Sequence, residues 1–236
     1  MLFKKIGIVI ADNDEYYPFE KAVKRYGAES YKGFGREGVR FYLGDTEITA
    51  LFSYVGKVNS AAAAMHLIDI GCELILNFGL SGGISGVRRG DYILPERFLE
   101  HDFDLSGIGY KYCEKPLQEY VYSSDKDVSS VFASVLGDVP SGTAVSGDRF
   151  ICEDETRAKL CAEFGAASCD METAAIASVC HFERVPFVAL RRISDDAGED
   201  ALAVYRKMNI GESDDLSEVF LKCLIALIGE GGKVKV

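Results

Sequence analysis

Short apolar runs recur along the whole chain, each followed by a segment of helical periodicity, and no other feature narrows the fold so far. Lys5–Ile10, with four of its six residues apolar, reads as a first strand. Asp14–Tyr26 follows as a helix, with Asp12 or Asp14 as its N-cap. Arg40–Leu43 and Glu47–Tyr54 read as a hairpin turned at Gly44-Asp45. Asn59–Ile70 is alanine-rich and helical up to Gly71. Leu74–Phe78 reads as a buried strand that runs into a glycine-rich turn, and Asp91–Phe103 as one long strand, or two with a bend at Pro95. Helices at Ser124–Leu136, Glu153–Phe164 and Met171–His181 alternate with strands at Gly142–Ser146, Ala167–Cys169 and Val185–Ile193. Ser217–Ile228 closes the pattern as an amphipathic helix. Such alternation predicts an α/β layer with helices on both faces. No Pro-rich or Ser-rich linker and no internal repeat interrupts residues 1–236, which read as one domain. In sheets of this kind ligands sit beyond the carboxyl ends of the strands.

Charge excludes some partners. Asp plus Glu number 37 against 26 Lys plus Arg, a net charge of −11, so no broad affinity for nucleic acid or anionic lipid is expected. The weakly basic tail Lys233–Val236 does not change that. The longest apolar stretches, Phe187–Leu190 and Cys223–Ile228, are far short of the roughly 20 residues that span a bilayer. Gly7–Ala11, ended by Asp12, is too short for a secretory signal. A cytoplasmic location is expected. Seven cysteines, an odd number without a CxxC pair, and three histidines argue against disulfides and zinc; the thiols read as small core residues. His181, near a helix end, reads as structural.

Five polar segments follow predicted strands. Gly79-Leu80-Ser81-Gly82-Gly83 is neither GxGxxG nor a Walker loop, and reads either as a plain turn or as a place of close ligand approach. Asp170 can cap the helix that follows it, and Glu172 falls in that helix's first turn, where the dipole keeps a carboxylate ionised. Arg191-Arg192-Ile193-Ser194-Asp195-Asp196 leaves the most apolar strand, as a surface salt bridge or as part of a site. In Asp12-Asn13-Asp14-Glu15 capping is the default, with a base or a cation ligand as alternatives. Phe150-Ile151, in the segment Ser146–Ile151, plugs the core or stacks on a planar ring. Together the five would line one rim with carboxylates, an arginine, hydroxyls and an aromatic ring, which suits a small molecule.

These residues, with Gly56-Lys57-Val58-Asn59, Asn77–Gly83, Gly90-Asp91 and His101-Asp102-Phe103-Asp104, resemble in order and spacing the 5′-methylthioadenosine/S-adenosylhomocysteine nucleosidases of the nucleoside phosphorylase-like superfamily, from Lys5 to about Ile228. The resemblance implies a three-layer α/β sandwich with a mixed central sheet flanked by helices. It implies hydrolysis of an N-glycosidic bond, with no cofactor and no metal. Asp195 matches the acid that protonates purine N7, which requires a carboxyl held above its reference pKa of about 3.9 by burial beside other carboxylates. Glu15 matches the base that activates water, and Arg191 an arginine that helps keep Glu15 ionised. Glu172 matches the residue that holds the ribose hydroxyls and favours the cation-like sugar. Phe150 matches the purine-stacking ring, the backbone of Ile151 the reader of its edge, Met171 the floor under the ribose, and Tyr205 an aromatic over the 5′ group. Leu80 and Ser194 belong to the substrate-binding segments. Leu105, Ile108 and Pro116 match positions supplied by a partner subunit, so a homodimer is implied.

The chain departs from the family at Ile10, where a glycine is common, and at Leu80, where a serine beside the water is common. The missing hydroxyl removes a hydrogen bond of about 1 kcal/mol; Ser81 is next in sequence. The rival readings are a purine nucleoside phosphorylase, a hydrolase of another nucleoside such as futalosine, and a non-catalytic nucleoside-binding protein. Phosphorolysis needs cations around phosphate, yet Asn77 stands where related hexameric phosphorylases place an arginine, and the first loop is acidic.

Overall fold

The computed structural model describes residues 3–205 and 210–229; the tail Lys233–Val236 lies outside the described residues. Among the described residues, eleven strands form one mixed sheet. Its centre is β1 (Lys5–Ile10), β4 (Thr46–Phe52), β5 (Leu74–Gly83) and β11 (Phe187–Asp195). β1 pairs in parallel with β4 and β5, and β11 in parallel with β5. These strands are apolar on both sides because helices cover both faces. Towards one edge β4 continues into β3 (Arg36–Leu43) and β2 (Glu29–Gly33), both antiparallel. Towards the other, β10 (Ala166–Asp170) runs antiparallel against the end of β5 and parallel to β9 (Thr143–Ser146).

One face carries α1 (Asn13–Val23), α3 (Lys126–Leu136) and α7 (Ile210–Gly229). Its core holds Phe19, Phe41, Phe78 and Phe220. The other face carries α2 (Lys57–Asp69) and α5 (Thr173–Glu183) over Leu67, Ile75, Ala174 and Ile176. α4 (Asp154–Phe164) packs beside β10. The result is the expected three-layer sandwich. No helix among the described residues is long and apolar enough to cross a membrane.

Two expectations are corrected, the glycine-rich turn and the start of α5. The glycine-rich segment is not a turn: β5 extends through Gly83, paired to β11 and β10 along its length. The Asp91–Phe103 run follows its two-strand alternative: β6 (Tyr92–Ile93) and β7 (Arg97–Glu100) flank Pro95, which has no N–H to give a ladder. The helix expected from Met171 begins at Thr173, because Asp170 accepts hydrogen bonds from the N–H groups of Glu172 and Thr173, both at 3.0 Å. The strand β2 is polar and largely exposed, so apolar periodicity did not mark it. Five of the seven cysteines are buried and all are free thiols.

Candidate active site

The carboxyl ends of β1, β5, β9, β10 and β11 converge, and a cavity there is lined by Glu15, Leu80, Phe150, Met171, Glu172, Ser194, Asp195 and Tyr205. Glu15 comes from the first turn of α1. Its Oε2 accepts from the N–H of Asp12 at 3.2 Å while Asp12 Oδ1 accepts from that of Asp14 at 2.8 Å, a capping box that fixes the helix start. Its Oε1 accepts from the Leu80 N–H at 2.7 Å. The carboxylate, only 5% exposed, is thus aimed at the end of β5. Gly79 is what lets it approach: a Cβ there would collide with both Glu15 Oε1 and Arg191 Nη1.

Arg191 is 0% exposed and sits among three carboxylates. Its nearest is Asp170, at 3.2 Å from Nη2; Glu172 follows at 3.9 Å. Nε donates to Thr173 Oγ1 at 2.9 Å and Nη1 to the Leu80 carbonyl at 3.5 Å. Asp170 also accepts from Ser146 Oγ at 2.6 Å, so it is the resident counter-ion. One guanidinium does not neutralise three buried acids. Burial pushes the Glu15 carboxyl up to about 8, with Asp12 and Glu172 adding to the rise and Arg191 opposing it. Burial likewise raises Glu172 to about 7, against the pull of Arg191. Arg191 does favour the ionised form of Glu15, but the desolvation cost of the buried carboxylate exceeds its attraction. Arg191→Met should cost about 3–5 kcal/mol of stability. The loss should grow at alkaline pH, because Glu15 and Glu172, their native pKa values raised further, lose stability as they ionise. Urea denaturation on either side of neutrality checks this; an unchanged midpoint would refute it.

Asp195 ends β11, 2% exposed. Oδ1 accepts from the Ala197 N–H at 2.8 Å and Oδ2 from the Ser194 hydroxyl at 2.6 Å. Burial holds its carboxyl above the ordinary aspartate value, although both hydrogen bonds pull the other way. The neighbouring Asp196 is the carboxylate that adds to the rise, as a lesser cause. Ser194 Oγ also lies 3.3 Å from the Ser81 carbonyl, a second acceptor for its proton. Phe150 and Tyr205 meet edge to face at 5.6 Å across the mouth of the cavity.

Ile151 is buried in a small apolar cluster with Leu99, Val145 and Leu160 and does not line the cavity. Leu105, Ile108 and Pro116 also lie outside it, in the segment after β7, and Ile108 is 73% exposed. Periodicity and motif reading missed Thr173, which bridges Arg191 to Asn77 and Asp170. They also missed the capping box, although Asp12 and Glu15 carry its D-x-x-E spacing. His181 stands 3.3 Å from Glu119, far along α5 from the cavity.

The family model of the phosphorylase superfamily matches residues 5–228. A 5′-methylthioadenosine/S-adenosylhomocysteine nucleosidase of Exiguobacterium sp. is 36% identical over 168 residues, covering 68% of this chain and 72% of that protein. An aminodeoxyfutalosine nucleosidase of Campylobacter jejuni is 28% identical, covering 84% and 88%. Among solved structures, the 5′-methylthioadenosine/S-adenosylhomocysteine nucleosidase of S. pneumoniae with the transition-state inhibitor MT-ImmA superposes with a TM-score of 0.85 at 25% identity, over 94% of this chain and 99% of that one.

Proposed function

The chain belongs to the phosphorylase superfamily and, within it, to the 5′-methylthioadenosine/S-adenosylhomocysteine nucleosidases, and from that membership we propose how its site hydrolyses their N-glycosidic bond. The observation that carries the proposal is the convergence of Glu15, Glu172 and Asp195 on one cavity whose described lining has no lysine or arginine. Water attacks C1′ of the ribose and gives a proton to Glu15. The C1′–N9 bond breaks with its electron pair moving into the purine, and Asp195 gives its proton to N7. Adenine and the 5-thioribose product leave. Glu172 holds the ribose hydroxyls, and its charge favours the cation-like sugar. A base whose pKa lies near the working pH is well matched to its task, and a buried Glu15 meets that condition. When Asp195 carries its proton, Ser194 can turn its own towards the Ser81 carbonyl, so both states of the acid are satisfied.

An acidic lining supports water rather than phosphate as the nucleophile. Asn77, where a phosphate-binding arginine would stand, is buried with its amide on the Val9 carbonyl at 2.9 Å. Phe150 stacks on the purine, Ile151 reads its edge through the backbone, Met171 lies under the ribose, and Leu80 and Tyr205 bound the sugar and 5′ end. A second copy completes the 5′ pocket with Leu105, Ile108 and Pro116. The exposed apolar side chains of Val58, Ile108 and Leu117 support that homodimer. Free cysteines fit a cytoplasmic enzyme, and the products suit methionine salvage.

Chromatography of products from methylthioadenosine, S-adenosylhomocysteine, aminodeoxyfutalosine and inosine, with and without phosphate, tests the proposal. Adenine and free sugar, independent of phosphate, are expected. Sugar 1-phosphate formed only with phosphate would undo the role of Glu15. Turnover confined to aminodeoxyfutalosine would move the substrate to the activity named for the Campylobacter relative.

A further inference from the structure

Helix α2 starts without a cap of its own. Its N-cap residue, Gly56, has no side chain and a φ of 105°, a conformation that favours glycine. The first N–H groups of a helix need acceptors, and here two carboxylates from other elements supply them. The Gly56 N–H donates to Glu172 Oε1 at 3.0 Å, and the Lys57 N–H to Asp148 Oδ1 at 2.8 Å. The N–H of Asp148 in turn donates to Asp102 Oδ2 at 2.9 Å. Lys57 closes the circuit: its Nζ donates to Asp102 and, at 2.9 Å, to Glu100, which also accepts from Lys115. Lys57, Glu100 and Lys115 side chains are largely buried, so their charges are screened less than those of surface pairs.

We infer that Lys57 and Asp148 are positioning residues that set how Glu172 meets the sugar hydroxyls. The inference rests on Glu172 being the hydroxyl-binding carboxylate. Asp148 holds the start of α2, and the start of α2 holds Glu172 Oε1. Asp148 is also two residues from Phe150, so the sugar carboxylate and the stacking ring share one anchor. Without the Lys57 ammonium, Glu100 and Asp102 face each other as like charges, and Asp102 loses the partner that keeps it on Asp148.

The readout is the ratio of kcat/KM for 5′-methylthioadenosine to that for its 2′-deoxy counterpart, which a general loss of structure does not change. Relative to wild type, Lys57→Met and Asp148→Ala should lower the ratio by about 10- to 100-fold, the scale of a misplacement of about 1 Å. Lys57→Arg, which keeps the charge, and Asp148→Asn, whose Oδ1 still accepts from Lys57, should keep most of it. Should Lys57→Met not fold, as judged by thermal melting, Asp148→Ala carries the same expectation. Equal losses on both substrates, or no loss, would overturn the inference. A wild-type enzyme indifferent to the 2′-hydroxyl would overturn the reading of Glu172 instead, and this inference with it.

Discussion

Asp195→Asn is expected to lower kcat/KM for adenine release by about 10²–10⁴-fold, the range of a lost general acid. The fold should tolerate the change. Asparagine keeps an oxygen for the Ala197 N–H, and its amide can donate to Ser194 Oγ, which then turns its proton to the Ser81 carbonyl. The loss is therefore chemical. Adenine departs poorly as an anion, and the amide has no proton to give N7. Two controls sharpen the test. A nucleoside analogue whose leaving group needs no protonation should be cleaved by the variant nearly as well as by wild type. The wild-type kcat/KM should fall as rising pH strips the proton from Asp195, whose pKa burial has raised, and that limb should vanish in the variant. Wild-type adenine release by Asp195→Asn would refute the acid assignment.

Glu15→Gln should lose activity on a similar scale, about 10²–10⁴-fold, but the activated leaving group should not rescue it, because the missing group acts on water. Glutamine keeps an oxygen for the Leu80 N–H, so the end of β5 stays in place. The pH dependence has a definite sign. Burial brings the Glu15 carboxyl up to about 8, and only its ionised form accepts a proton. Ionisation of Glu15 should therefore contribute a rise in kcat/KM with pH up to about 8, and that rise should be absent from Glu15→Gln. Wild-type and Glu15→Gln profiles of the same shape would contradict the base role.

Much of the fold was legible because it depends on local periodicity. The buried strands β1, β5 and β11 are runs of apolar residues, and α2, α3 and α4 each stop at a glycine of positive φ, Gly71, Gly137 and Gly165. Local signals failed where a neighbour decided the outcome. Gly79–Gly83 looks like a turn in isolation. It is a strand because β11 and β10 offer it ladder partners, and because Glu15 and Arg191 need the space a side chain at Gly79 would fill. The polar strand β2 forms because β3 pairs with it.

The same division runs through the site. Which residues follow the strands, and hence which carboxylates and which arginine reach the carboxyl rim, is a property of the order of the chain. Which charge meets which follows from packing between distant segments. Asp170, 21 residues before Arg191, became the arginine's closest counter-ion, and Asp148 became the cap of a helix that starts 91 residues earlier. The protonation of Glu15 was decided there too, since ionisation of a carboxyl depends on the water it loses and the charges it faces, and both are set by segments far away in the chain.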